Sequence, residues 1–207
     1  MSHLFRPLVL LITLAFAMPY VFPKPGDPVV NGQRVTECDK LAAHPFDTQK
    51  IAPGIAQDQV DIPRARAACL RAVGEQPGNG RLLYQLGRTF FYAREYTPGI
   101  GYFEKSAAAG YPQGQFVLGL IFMQGNGTEP DACAGGRLWL SAARQKHLYA
   151  KIYLTQNWLD GLFDECALET TDQEMDGFVS AAEELIGTET QRDDVAQMKR
   201  NWADRRR

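Results

Sequence analysis

Two stretches of the chain, YFEKSAAAGYPQGQFVLG at 102–119 and LWLSAARQKHLYAKIYLT at 138–155, overlay at an offset of 36 residues. Phe103 falls on Trp139, Ala107 on Ala143, Leu118 on Leu154 and Gly119 on Thr155. Upstream, Leu86-Gly87 repeats Leu118-Gly119 at an offset of 32, the four missing residues falling where REYTPG is shorter than QGNGTEPDACAG. Periods in this range belong to stacked helical hairpins. A glycine inside a helix costs about 1 kcal/mol relative to alanine, so Gly87 and Gly119 need an offsetting gain. A close crossing between the two helices of a hairpin supplies it. Ala65, Gly99 and Gly135 are the small residues expected on the facing helices, and Thr155 is the largest side chain such a crossing tolerates. Leu83, Leu86, Phe90, Phe103, Leu118, Phe122, Trp139 and Leu154 are expected to fill the core between them.

The local signals agree with this reading. Asp61 is a good N-cap with Pro63 in the first turn, and the spacing predicts helices over 62–73, 81–93, 98–109, 112–123, 131–145 and 148–159. Thr171 with Glu174 and Thr188 with Gln191 have capping-box spacing. Met175, Phe178, Ala182 and Leu185 then share one helical face ended by Gly187, and Val195, Met198 and Trp202 share another. These last two helices are expected to cap the array, since the ends of a solenoid need a different surface from its middle. A short helix over 37–43 stops at Pro45, and 46–60 carries weak signals around a Pro53-Gly54 turn.

The N-terminus reads as an export signal. Arg6, an apolar run from Leu8 to Met18 and small residues at Ala15 and Ala17 follow the n-region, h-region and A-x-A order. Residues 1–17 are therefore expected to be cleaved, the alternative being an uncleaved membrane anchor. Four prolines between 19 and 28 make 18–35 an extended linker. Four cysteines fit an exported chain. Three pairings are possible; Cys38–Cys69 and Cys133–Cys166 are favoured because each closes a loop of about 30 residues. With 22 basic and 24 acidic residues, net charge −2, the chain has no electrostatic footprint for nucleic acid.

The residues also carry a family resemblance. AACLRAVGEQPGNGRLLYQLGRTFFYAREYTPG resembles a tetratricopeptide repeat junction, through Pro77, Leu86-Gly87, Phe90, Tyr96 and Gly99. The stretch from 104 to 147 is similar to a Sel1-like repeat: Ser106-Ala107, Gly110, Leu118-Gly119, Gly125-x-Gly127, Asp131, Trp139 and Ala142-Ala143. Thr155 and Lys146 depart from the glycines of that pattern, so the array is expected to span 61–160. An irregular disulfide-tethered segment (36–60) precedes it and a helical cap (161–207) follows. The fold implied is an all-α short solenoid of antiparallel hairpins.

Such arrays act mainly as binding scaffolds whose concave face takes a peptide or protein segment. Carried over to this chain, the lining is Arg81, Tyr84, Arg88 and Phe91 from one helix, Gln113, Phe116, Leu120 and Met123 from the next, and Tyr149 and Ile152 from a third. The expected partner is a protein or peptide of the cell envelope, periplasmic or secreted; the alternative is a binder of cell-wall fragments or small ligands. A β-lactamase-type or amidase-type activity is disfavoured. The Sel1-like proteins linked to β-lactams are implied to carry a cysteine pair in every repeat, which this chain lacks. Past the signal, only His44 and His147 could serve as imidazole bases, and no nucleophile or metal-ligand constellation surrounds them. No cofactor or metal is expected.

Overall fold

A computed structural model describes residues 28–205; the expected signal peptide, the first part of the linker and the last two arginines lie outside the described residues. A short antiparallel pair, β1 (Val29–Val30) and β2 (Gln33–Arg34), leads into α1 (Glu37–Ala42). Six helices then form the array: α2 (Ile62–Glu75), α3 (Gly80–Tyr92), α4 (Tyr96–Ala108), α5 (Pro112–Gln124), α6 (Ala132–Arg144) and α7 (Leu148–Leu159). The cap is α8 (Asp172–Ala181), a short 3₁₀ turn (Glu183–Leu185) and α9 (Glu189–Arg205). Each array helix packs on the next, most extensively α3 on α4 and α5 on α6, while α8 and α9 pack on α7. This is an all-α solenoid of antiparallel hairpins.

Helix starts are set by side chains that satisfy orphan amides. Asp61 accepts from Arg64 N, Asn79 from Leu82 N, Asp131 from Ala134 N and His147 Nδ1 from Ala150 N. Thr171 and Thr188 cap α8 and α9 through Glu174 N and Gln191 N. The reciprocal half of each expected capping box is diverted. Glu174 turns to Arg144 and Thr170, tying α8 to α6, and Gln191 Oε1 accepts from Gly187 N instead. The full capping box is at α1, where Thr36 and Asp39 each bond the other's backbone amide.

The leucine–glycine positions are the crossing points. A Cβ on Gly87 would stand 2.8 Å from the Phe103 ring and 3.1 Å from Gly99 O; one on Gly119 would stand 2.5 Å from the Trp139 indole and 3.2 Å from Gly135 O. Glycine there lets α3 touch α4 and α5 touch α6 backbone to backbone. The close approach also lets Trp139 Nε1 donate to Phe116 O at 3.1 Å. Leu83, Leu86, Phe103, Leu118, Trp139 and Leu154 are buried as expected. Phe90 and Phe122 are only partly so; Phe90 stacks on Tyr102 (5.5 Å) beneath the Arg66 guanidinium (4.1 Å).

Three further differences from the sequence reading have local causes. The described end of the linker is a hairpin, because Asn31 and Gly32 (φ 51° and 74°) make the two-residue turn that antiparallel strands favour. The helix expected to carry Ala182 and Leu185 ends at Ala181, and the 3₁₀ turn carries Leu185 to the same core by a tighter path. Finally, 36–60, expected as an irregular disulfide-tethered segment, is also packed on the array. Cys38 and Cys69 are bonded and fully buried, and α1 packs on both α2 and α3. Cys133–Cys166 closes the second disulfide, tying the loop after α7 to α6.

Candidate functional site

Of the helices α3, α5 and α7 expected to line a groove, α3 and the start of α5 are covered by the chain itself. Residues 36–55 of the chain's own N-terminal segment lie on them. Arg88 Nη1 donates to Ala42 O (2.9 Å) and Ala43 O (2.8 Å), and its Nη2 to Ile55 O (2.7 Å). Arg81 pairs with Asp39, whose other donors are Gln85 Nε2 (3.0 Å), Thr36 N and Thr36 Oγ1 (2.8 Å each). Asp39 and Arg81 are both buried. Such a pair is tolerated only where hydrogen bonds replace water at every lone pair, and here they do. Tyr111 Oη donates to Asp47 Oδ2 at 2.7 Å; burial holds the Asp47 carboxyl above its ordinary range.

Between this plug and α7 runs a buried polar relay. Gln113 Nε2 reaches Tyr84 Oη at 3.4 Å, and Gln113 Oε1 accepts from His147 Nε2 at 2.9 Å. His147 Nδ1 already accepts from Ala150 N, so Nε2 carries the single proton. Phe116 stacks on the imidazole at 4.6 Å. Burial pulls the His147 pKa down to about 4; His44 is lowered to about 4 by burial and by Arg88 and Lys50. His147 is thus a neutral helix cap bonded on both nitrogens, not an imidazole facing a substrate.

The expected lining residues therefore divide into groups. Arg81, Tyr84, Arg88, Gln113, Phe116 and Ile152 are all buried, the two arginines by the N-terminal segment and Phe116 and Ile152 within the C-terminal core. An open groove at these positions is replaced by one filled in cis. Phe91 points into its own hairpin, edge-on to Tyr96 (5.0 Å) and against Phe103 (5.8 Å). Met123 does the same, its sulfur standing where a Cβ on Gly135 would be 2.8 Å away. Leu120 packs at the margin of the C-terminal core. Tyr149 keeps partial exposure, beside Phe46 (5.8 Å) and Tyr153, which are 46% and 38% exposed. The groups that sequence reasoning missed are Asp39 and Asp47. The Thr36-x-x-Asp39 spacing signals the first; nothing local signals the second, whose partner Tyr111 is 64 residues away.

Ser106-Ala107, Gly110, Leu118-Gly119, Asp131, Trp139 and Ala142-Ala143 occupy the caps, turns and crossings of the α4, α5 and α6 hairpins. No family model matches the chain, and no curated protein is similar to it. Among solved structures, the chain is similar to c5321, described as a protective antigen present in uropathogenic Escherichia coli strains and displaying an SLR fold. Identity is 19% and the TM-score 0.47; the match covers 80% of this chain and 39% of that one.

Proposed function

We propose that the protein is an exported helical-repeat scaffold that binds another protein in the cell envelope. The observation that carries this reading is the cis occupancy of the inner face. Arg81 takes a carboxylate and Arg88 takes three main-chain carbonyls from a bent polypeptide segment. That is the chemistry of polypeptide recognition, with arginine forks supplying directional, charge-assisted bonds. The plug takes up that face at α3 and α5, so the partner meets the surface left open beside α7. Two disulfides suit an oxidising compartment, and among the described residues no helix is long and apolar enough to cross a membrane. No catalytic step is part of this reading.

The test is affinity capture from envelope extract with the full chain as bait. One stoichiometric protein partner, retained after washing and reproduced with purified components, is the expected result. Specific retention on purified peptidoglycan with no protein partner would overturn it in favour of a cell-wall binder.

A further inference from the structure

Beyond the plug, α7 buries Leu148 and Ile152 but leaves Tyr153 and Asp160 exposed and Tyr149 partly so, and that strip has a definite chemistry. Tyr149, Tyr153 and Asn157 follow one another at intervals of four residues along one ridge of α7. The ridge starts at Phe46 of the plug and ends in a cleft of about 590 Å³, where the last turn of α7 meets the last turn of α9. Gln156, Asn157 and Asp160 form one wall and Asn201, Asp204 and Arg205 the other.

Three features make the cleft electronegative and suited to a cation. Both helices direct their C-terminal ends at it, and each end carries roughly half a negative charge. Asp160 is exposed and pairs with no cation among the described residues. Asn157 donates one amide N–H to Tyr153 O at 2.7 Å, and its amide oxygen is an acceptor at the cleft wall. Among the described residues, Arg205 is the single cation in the cleft lining. Tyr153 supplies the aromatic wall. Its ring is braced edge-on by Phe116 (5.7 Å) and Trp139 (5.5 Å), so its exposed part is held in place. Tyr153 and Asp160 lie two turns apart along the same side of α7 and line one cleft, and a braced ring with a carboxylate within reach is a seat for guanidinium or ammonium.

We propose that the α7 ridge and its terminal cleft bind an extended, cationic segment of the partner protein. One Arg or Lys sits between Tyr153 and Asp160, and neighbouring apolar side chains lie along Tyr149 and Phe46. From Tyr149 to Asp160 the helix rises about 16 Å, the span of about five extended residues, which sets the length of the recognised segment. This assignment rests on the scaffold reading and names its site and the partner's chemistry.

A fluorescein-labelled peptide Leu-Lys-Leu-Arg-Leu, titrated into the full chain and followed by anisotropy, tests it. Saturable binding is expected, weakened by added salt, absent for the analogue with glutamine at both cationic positions, and reduced about two- to fivefold by Asp160→Asn. Asp160→Lys, a surface change that leaves the core untouched, is expected to abolish it. Equal binding of the glutamine analogue, indifference to both Asp160 variants, or binding of an N-acetylglucosamine oligosaccharide in place of the peptide overturns the assignment. So does peptide binding that appears only after Arg206 and Arg207 are deleted, which would make the chain's own tail the occupant. Repeating the envelope capture with Asp160→Lys separates the two readings. A partner captured at undiminished yield overturns the cleft and leaves the scaffold standing, whereas no partner with either bait overturns both.

Discussion

Gly110 and Lys146 occupy the same left-handed turn, one repeat of 36 residues apart, with φ of 78° and 64°. The backbone closes identically around them. Gly110 N and Tyr111 N donate to Ala107 O and Ser106 O (2.9 and 3.1 Å), as Lys146 N and His147 N donate to Ala143 O and Ala142 O (3.1 Å each). The second hairpin therefore keeps the geometry but not the residue suited to it. A side chain in the left-handed region costs about 1–2 kcal/mol, and glycine gives back part of that gain as backbone entropy. Lys146→Gly is expected to stabilise the protein by about 0.5–1 kcal/mol and Gly110→Lys to destabilise it by at least as much. Both are read by urea denaturation; a destabilised Lys146→Gly protein would show that the turn is not under strain.

The crossing glycines make a sharper prediction. Gly119→Ala places a methyl 2.5 Å from the Trp139 indole, whose Nε1 is already committed to Phe116 O. The indole cannot move without losing that bond, so overpacking should cost about 1–3 kcal/mol despite alanine's better helix propensity. Gly101 sits in α4 with open space around it. Gly101→Ala is expected to be neutral or to stabilise by up to about 1 kcal/mol. Equal effects of the two substitutions would remove close helix approach as the reason for the leucine–glycine repeat.

These two glycines also show why so much of the array was legible. A crossing contact within one hairpin joins residues 16 positions apart, such as Gly87 and Phe103, so its demand repeats with the hairpin and leaves a periodic trace. The two disulfides were legible for a similar reason, each closing a short loop within one region. The plug left no such trace. Arg88 bonds the main-chain carbonyls of Ala42, Ala43 and Ile55, and a carbonyl is the same whatever residue carries it. Arg81 and Arg88 do bind polypeptide, but their charge reads alike whether the ligand is a partner or the chain itself. Phe91 and Met123 were displaced by helix phase: each sits near the end of its helix, where the hairpin's B helix draws it inward.

The buried pair Asp39–Arg81 anchors the plug, so breaking it from one side should release more than one contact. Arg81→Met leaves an uncompensated carboxylate that still holds Gln85 and the Thr36 cap. A loss of about 3–5 kcal/mol is expected, with new protease sensitivity confined to residues 36–60. Replacing both Cys38 and Cys69 with alanine should instead cost about 2–4 kcal/mol. If both variants keep the segment as protease-resistant as the parent, the plug is held by packing alone.

Acid stability should be governed by the histidines in and beneath the plug. His147 is neutral in the fold, with a pKa lowered to about 4 against an ordinary 6.5, and His44 is lowered to about 4 as well. Between those values the unfolded chain binds more protons than the native one. Stability contributed by neutral burial is therefore complete above pH 6.5 and is lost as pH falls toward 4, by at most about 1.4 kcal/mol per pH unit for each histidine. Protonating His147 would set a ring proton on Nδ1 against the Ala150 amide it now caps. Asp47 works in the opposite sense. Its raised carboxyl pKa makes its stabilising contribution greatest in acid and lost as pH rises through the folded-state value, so it blunts the histidine effect without mimicking it. His147→Asn keeps a good N-cap and removes one titrating group. Its denaturation midpoint should be lower at neutral pH but flatter between pH 6.5 and 4.5. Parallel pH profiles for the two proteins would show that His147 is not buried as the neutral base.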